Sequence, residues 1–278
     1  MKSQALRDLG NLQRARGRYR RAEALLRRAL AAASKAPGPG RSEVPACLND
    51  LGVLYKYTGR FDEAERLYRR ALRLTVRAHG PVHPDVATLW HNLGGLEHAR
   101  GRYARAEPFA RRSVRIREKV LGPGHPDAAA DRAALAAILD GLGRHREAER
   151  LYRDAIAIFR RTSGPEHYEV AVNTSNLGAS CLAQGRAAEA GRFLRKALAL
   201  KERLLGADHP DVAITIHHLA ALARSRGRLE ETCGLLDRAR TIFEKALGPR
   251  HPRTRLCREE LSRLERDCAS KGSGPRGS

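Results

Sequence analysis

Aromatic residues and long apolar runs are both scarce in this chain of 278 residues. Phe, Trp and Tyr together make up 5% of it, with a single Trp, so small and aliphatic side chains must form the core. No apolar run approaches the ~20 residues that a membrane-spanning helix needs. The first residues show no signal-peptide pattern either. We therefore expect a cytoplasmic protein with no membrane interaction.

The sequence also lacks the patterns of a disulfide framework, a catalytic site or a metal centre. Its five cysteines are an odd number without paired spacing, which favours reduced thiols. No phosphate-binding Gly loop, CxxC pair or Ser-His-Asp arrangement is visible. His217 and His218 are adjacent and, on a helix, would point about 100° apart rather than towards one ion. We predict no enzyme activity, no metal and no cofactor.

What the chain does have is a strict repeat of 42 residues. Six Gly-Arg dipeptides keep this spacing without a slip. They are Gly17-Arg18, Gly59-Arg60, Gly101-Arg102, Gly143-Arg144, Gly185-Arg186 and Gly227-Arg228. A unit of this length cannot bury its apolar face alone, so neighbouring units must stack. The period predicts a repeat solenoid rather than a closed globule.

Small and apolar residues keep the same phase on both sides of each turn glycine. A Leu-Gly or Leu-Ala step comes before it, as at Leu93-Gly94, and an aromatic and a small residue often follow, as at Tyr103 and Ala106. Small residues at fixed positions let two antiparallel helices approach closely. A His-Pro loop then starts most of the following units, as at His125-Pro126, because Pro suits the first position of a helix.

These features resemble the tetratricopeptide repeat, in the longer form found in kinesin light chains. The pattern is clearest at Trp90, Leu93, Gly94, Gly101, Tyr103, Ala106 and Ser113. The resemblance covers residues 1–268 and implies an all-α, right-handed solenoid of about six helix pairs, elongated and monomeric. The expected repeats are 1–42, 43–84, 85–126, 127–168, 169–210 and 211–250, followed by a capping helix at 252–268 and a disordered tail at 269–278.

The resemblance also implies a non-catalytic protein-interaction scaffold whose first helices line a concave groove. The predicted partner-binding residues of that groove are Arg7, Asn11, Arg14, Asn49, Lys56, Tyr57, His91, Asn92, His98, Ser175, Asn176, His217 and Arg224. They make the groove basic and polar at its ends and apolar in its middle, so we predict an extended acidic peptide as the ligand. For Asn92 and Asn176, a hydrogen bond between helices is the alternative interpretation.

Two binding modes known in this family make different demands on the groove. A clamp for a terminal carboxylate is matched by Arg7 and Asn11, but Asp50 stands where the clamp has Asn and would repel the ligand. The acidic-peptide groove of kinesin light chains is the better match. A complete kinesin light chain is not expected, because no heptad coiled coil precedes the repeats.

The formal net charge of +22, carried mainly by arginine, keeps nucleic acid or another polyanion as the alternative partner. A coding bias towards arginine is the other explanation of this charge. The groove lacks the interleaved aromatics that stack bases, which makes nucleic acid the less favoured partner.

The positions of the arginines predict which of them are neutralised. Arg69, Arg111 and Arg153 each follow a Glu by four residues, the spacing of exposed ion pairs on a helix. The arginines after the turn glycines are interpreted as partners of the negative carboxyl end of each first helix. The groove cations have no acid four residues before them and are predicted to keep their charge for a ligand. These are Arg7, Arg14, Lys56 and Arg224.

Overall fold

The computed structural model describes residues 2–36 and 43–272, which form thirteen α-helices and no strand. The helices are α1 (Lys2–Ala15), α2 (Tyr19–Lys35), α3 (Val44–Tyr57), α4 (Phe61–His79), α5 (Pro84–Ala99), α6 (Tyr103–Leu121), α7 (Pro126–Gly141), α8 (His145–Ser163), α9 (Tyr168–Ala183), α10 (Ala187–Leu205), α11 (Pro210–Ser225), α12 (Leu229–Leu247) and α13 (Pro252–Gly272). The predicted all-α solenoid class is confirmed.

The helices pair as the repeat phase predicts, and the pairs fall into two compact units. The first helix packs on the second in the pairs α1–α2, α3–α4 and α5–α6 of the first unit and α9–α10 and α11–α12 of the second. Within each unit a second helix also packs on the next first helix, as α4 does on α5 and α10 on α11. The units are Met1–Ile158 and Phe159–Ser278, and the boundary lies inside α8. The unbroken repeat phase gives no sign of this division.

Glycine ends each first helix in the way that the Gly-Arg mark predicts. Gly101 has φ 72°, in the left-handed region, and its N–H donates to the carbonyl of His98. The N–H of Arg102 donates back to Glu97, which completes the Schellman arrangement. A residue with a Cβ would be strained at this φ, so each turn carries glycine.

Small residues set how closely the two helices of a pair approach. A Cβ added to Gly94 would lie 3.3 Å from the backbone N of Ala110 and 3.5 Å from the carbonyl O of Ala106. Ala106 itself is fully buried. Because backbone faces backbone here, there is no flexible side chain that could move aside for a larger residue.

The histidine of each loop is an N-cap, which the sequence analysis did not anticipate. His125 Nδ1 accepts a hydrogen bond from the backbone N–H of Asp127 at 3.1 Å, and His209 does the same for Asp211. Nδ1 must therefore carry a lone pair, so the ring proton resides on Nε2. His167, the variant without proline, keeps this bond to Glu169. The imidazole thus satisfies one N–H that the helix start leaves unpaired.

The C-terminal helix is longer than predicted. It was expected to end at residue 268, with a disordered tail from 269, but α13 continues to Gly272. The rest of that tail, 273–278, and the end of the first predicted repeat, 37–42, lie outside the described residues.

One buried polar position differs between the two units. In the first unit Arg117, 7% exposed, has its Nε 3.2 Å from Oδ2 of Asp131. Two repeats later Lys201, 2% exposed, occupies the arginine position, and Thr215 replaces the aspartate. Lys201 Nζ donates to the Thr215 hydroxyl at 3.0 Å and to the Asp211 carbonyl at 3.1 Å. No carboxylate pairs with Lys201 among the described residues, and burial lowers its pKa to about 8.

We expect Ala106→Leu to lower the free energy of unfolding by ~1–3 kcal/mol, because the close helix contact has no room for extra methylenes. Ala104→Leu on the same helix is the matched control; Ala104 is exposed, so its change should stay within about 0.5 kcal/mol. Urea unfolding followed by circular dichroism measures both. Equal effects would show that the assigned contact is wrong.

Lys201 should make stability depend on pH. Its pKa is lowered in the folded chain, so the unfolded chain binds more protons above about pH 8. The free energy of unfolding should therefore gain about 1–3 kcal/mol from this group between about pH 8 and pH 10. In Lys201→Met that gain should vanish, whereas Lys196→Met, at an exposed position of the same helix, should keep it. Parallel pH profiles for all three proteins would contradict the assignment.

Candidate functional site

The predicted binding residues lie on the first helices of the repeats. In the first unit α1 contacts α3, α3 contacts α5, and α5 contacts α7; in the second, α9 contacts α11. We use "first-helix face" for the surface of α1, α3 and α5 that carries Arg7 to His98 of the predicted set. Its counterpart in the second unit carries Ser175, Asn176, His217 and Arg224.

Several of these residues pair with one another from one repeat to the next. Arg7 Nε lies 2.8 Å from Asp50 Oδ2, and Asn92 donates to the Asn49 side-chain oxygen at 2.7 Å. In each of these two pairs, the residues are 43 positions apart in sequence. His91 Nδ1 lies 2.7 Å from Asp131 Oδ1. A row of polar contacts therefore links consecutive first helices across the repeat boundaries.

This row corrects one argument made from the sequence. Arg7 was predicted to keep its charge for a ligand because no acid precedes it by four residues. Its acid comes instead from the next repeat, and the two side chains are only 17% and 12% exposed. Asp50, expected to repel a bound carboxylate, is thereby the partner of Arg7. For Asn92, 8% exposed, the alternative interpretation of a hydrogen bond between helices is confirmed.

The row ends in a buried carboxylate held by two basic groups. Burial alone would raise the pKa of Asp131, but the His91 hydrogen bond and the charge of Arg117 hold it below its usual value. Asp131 is 2% exposed and therefore belongs to the core. His91 is oriented by this contact, so its role at the face is to join α5 to α7.

A second group of predicted residues surrounds an exposed aromatic ring. The Arg14 guanidinium carbon lies 5.4 Å from the centroid of the Tyr57 ring, and Lys56 Nζ lies 5.8 Å from it. Tyr57 is 42% exposed. Arg14 forms no ion pair with any described carboxylate. We call these three residues the cation–tyrosine cluster; it joins the carboxyl ends of α1 and α3.

The remaining residues of the first-helix face border this cluster or a small cavity. Asn11 is half-buried one turn before Arg14 on α1. The His98 ring meets the edge of Tyr103 at 5.3 Å between centroids. At the amino ends of α3 and α5 a cavity of about 190 Å³ is lined in part by Arg7 and Asn49.

In the second unit the predicted residues separate into buried and exposed ones. Ser175 is fully buried and its hydroxyl lies 3.1 Å from that of Thr215, so it belongs to the core. His217 Nε2 lies 2.9 Å from Glu260 Oε2, and this hydrogen bond lowers the pKa of Glu260. Asn176 is half-buried and Arg224 is exposed.

Some of the arginines outside this face form ion pairs, in two different ways. The predicted pairs at i,i+4 are confirmed, with distances of 2.7–2.9 Å for Arg69, Arg111 and Arg153. The interpretation of the turn arginines is wrong for most of them, since their side chains turn towards the second helix rather than the first. Four pair with the Glu three residues later: Arg60–Glu63, Arg144–Glu147, Arg186–Glu189 and Arg228–Glu231.

Two further findings concern membranes and metals. None of the helices in the described ranges is long and apolar enough to cross a bilayer. Among the described side chains, no three His, Cys, Asp or Glu residues form a group that could hold a metal ion.

Several solved structures are similar to this chain. A Podosopora anserina protein described as a kinesin light chain with nearly identical TPR-like repeats is 25% identical; the match covers 76% of this chain and 98% of that one, with a TM-score of 0.54. BtubC (BKLC) from P. vanneervenii is 24% identical over 82% and 94% of the two chains, TM-score 0.58.

A Rap protein complexed with Competence and Sporulation Factor shares the fold at 13% identity, with a TM-score of 0.68, over 97% of this chain and 76% of its own.

No curated protein matches by sequence. The tetratricopeptide repeat model matches residues 2–75, 85–161, 168–231 and 211–267, and a second model of the same repeat matches 49–120. Such repeats are generally non-catalytic and support a protein-interaction scaffold. The chain therefore belongs to the tetratricopeptide repeat family, with repeats similar to those of kinesin light chains.

Proposed function

We propose that the chain holds an extended acidic segment of another protein on its first-helix face. The observation that carries the proposal is the cation–tyrosine cluster, which presents two cations beside an exposed aromatic ring. Carboxylates of a ligand would meet Arg14 and Lys56, while the Tyr57 ring would contact an apolar side chain or the peptide backbone.

The neighbouring polar residues support a peptide rather than an isolated anion. Asn11 lies one helical turn from Arg14, and its amide can donate to and accept from a peptide backbone. Because Arg7 is neutralised by Asp50, the attraction for a carboxylate is strongest at the carboxyl ends of α1 and α3. In the second unit Asn176 and Arg224 offer the same two kinds of group.

The comparisons support this proposal at the level of fold. The Rap protein, which has the same fold, was solved with Competence and Sporulation Factor bound, so this arrangement of helices can hold a second molecule. The acidity of the segment proposed here rests on the residues of this chain and on its net charge of +22.

Binding of nucleic acid or another polyanion is the second candidate. It is favoured by a stripe of exposed arginines along one side of α4, spaced by four, three and four residues: Arg66, Arg70, Arg73 and Arg77. The two candidates place the ligand on opposite helices of a repeat, so substitutions can separate them.

We expect Arg14→Gln/Lys56→Gln to weaken binding of a fluorescein-labelled peptide with acidic ends and an alanine centre by about tenfold or more. Arg69→Gln/Arg111→Gln removes the same charge from the second helices and should change the dissociation constant less than about twofold. Fluorescence anisotropy measures both, and higher salt should weaken binding of the unmodified protein.

Equal losses in the two variants would contradict a site on the first-helix face. A labelled single-stranded oligonucleotide is the parallel probe. If the chain binds it and not the acidic peptide, and if Arg66→Gln/Arg70→Gln abolishes that binding, the polyanion candidate replaces the peptide.

A further inference from the structure

A second surface feature lies away from the first-helix face, on the side of the second helices. Between α4, α5 and α6 of the first unit there is a cavity of about 390 Å³. Its apolar lining comes from Leu72 and Val76 of α4 and from Val86 and Trp90 of α5. Val86 is buried in a small core cluster, and Leu72, Val76 and Trp90 are partly buried residues packed against that cluster. We call this cavity the tryptophan pocket.

The rim of the tryptophan pocket is basic. Arg73 and Arg77 border it from α4, and Arg112 borders it from α6. All three side chains are exposed, and none forms an ion pair with a described carboxylate. Arg69 and Arg111, on the same two helices, differ in this respect, because each forms an ion pair with a glutamate of its own helix. An apolar pocket is therefore surrounded by three positive charges that the described residues do not neutralise.

We propose that the tryptophan pocket receives a large apolar side chain from a segment of another protein in which acidic residues flank that side chain. The apolar lining matches the side chain, and the three guanidinium groups match the carboxylates on either side of it. This is a second docking surface, lined by residues other than those of the cation–tyrosine cluster, and it does not depend on that site.

Charge and ring geometry argue against two other occupants. A second copy of this chain carries a net charge of +22, so it would be repelled by the arginine rim. A nucleic-acid base would need an open ring face on which to stack. The Trp90 ring already has Arg112 over it, with the guanidinium carbon 4.8 Å from the centroid, and stacks with Phe109 at 5.5 Å.

The single Trp of the chain gives a local signal for the test. A short synthetic peptide with a central Leu flanked on both sides by Glu is titrated into the full-length protein while Trp90 emission is recorded. We expect a saturable change in intensity or wavelength. A peptide with Ser in place of the Leu, and one with Gln in place of each Glu, should each bind about tenfold more weakly or not at all.

Substitutions then locate the site by anisotropy of the labelled Leu peptide. Arg73→Gln/Arg77→Gln/Arg112→Gln should weaken binding about tenfold or more. Arg66→Gln/Arg70→Gln/Arg115→Gln removes three exposed charges from the same two helices, outside the pocket, and should change affinity less than about threefold. Circular dichroism checks that both variants keep their helix content.

Three results would overturn the proposal. One is the absence of saturable binding of the Leu peptide, and another is an equal loss in both triple variants. The third is a combined result: the Leu peptide binds fully without changing Trp90 emission, and Arg14→Gln/Lys56→Gln abolishes that binding. This result would place the peptide on the first-helix face. In that case the proposed function would stand and this second surface would not.

Discussion

The structure depends on the close approach of the two helices of a pair, which a small residue on the first helix allows. Gly94 faces the backbone of Ala106 and Ala110 so closely that an added Cβ would sit 3.3 Å from a main-chain nitrogen. With so little volume between them, the two helices of a repeat cannot enclose a core of their own. Their outer apolar surfaces are covered by the next repeat. This need to stack requires the repeats to keep one phase and, within each unit, brings the first helices of consecutive repeats side by side.

Once the first helices are neighbours, their polar residues serve two purposes that compete. Arg7 with Asp50, and Asn49 with Asn92, connect one repeat to the next, and these side chains are largely shielded from solvent. The second purpose is contact with a ligand. In the first unit we propose this role for the cation–tyrosine cluster on the first helices and for the arginine rim of the tryptophan pocket. The net charge of +22 is not confined to these sites, because further arginines such as Arg66 and Arg70 are exposed on the second helices.

The sequence predicted the helix pairs, the turn glycines and the exposed ion pairs of the second helices, because each depends on residues within one repeat. Contacts between repeats were harder to predict. No acid lies four residues before Arg7 in the sequence, and its partner Asp50 becomes a neighbour only after the repeats stack. The histidine caps could have been found, because His recurs directly before the first residue of α5, α7, α9, α11 and α13 and its Nδ1 can accept a hydrogen bond. The tryptophan pocket combines residues of three helices, and the division into two units leaves no mark on the repeat phase.

The central claim is that polar pairs on the first helices couple consecutive repeats. A double-mutant cycle on Arg7→Ala and Asp50→Ala, measured by urea unfolding, tests it most directly. The account predicts a coupling energy of about 1–3 kcal/mol, because both side chains are mostly shielded from water. The same cycle on the exposed pair Arg69 and Glu65 should give about 0.3–0.5 kcal/mol. A coupling for Arg7 and Asp50 no larger than that of the exposed pair would contradict the account.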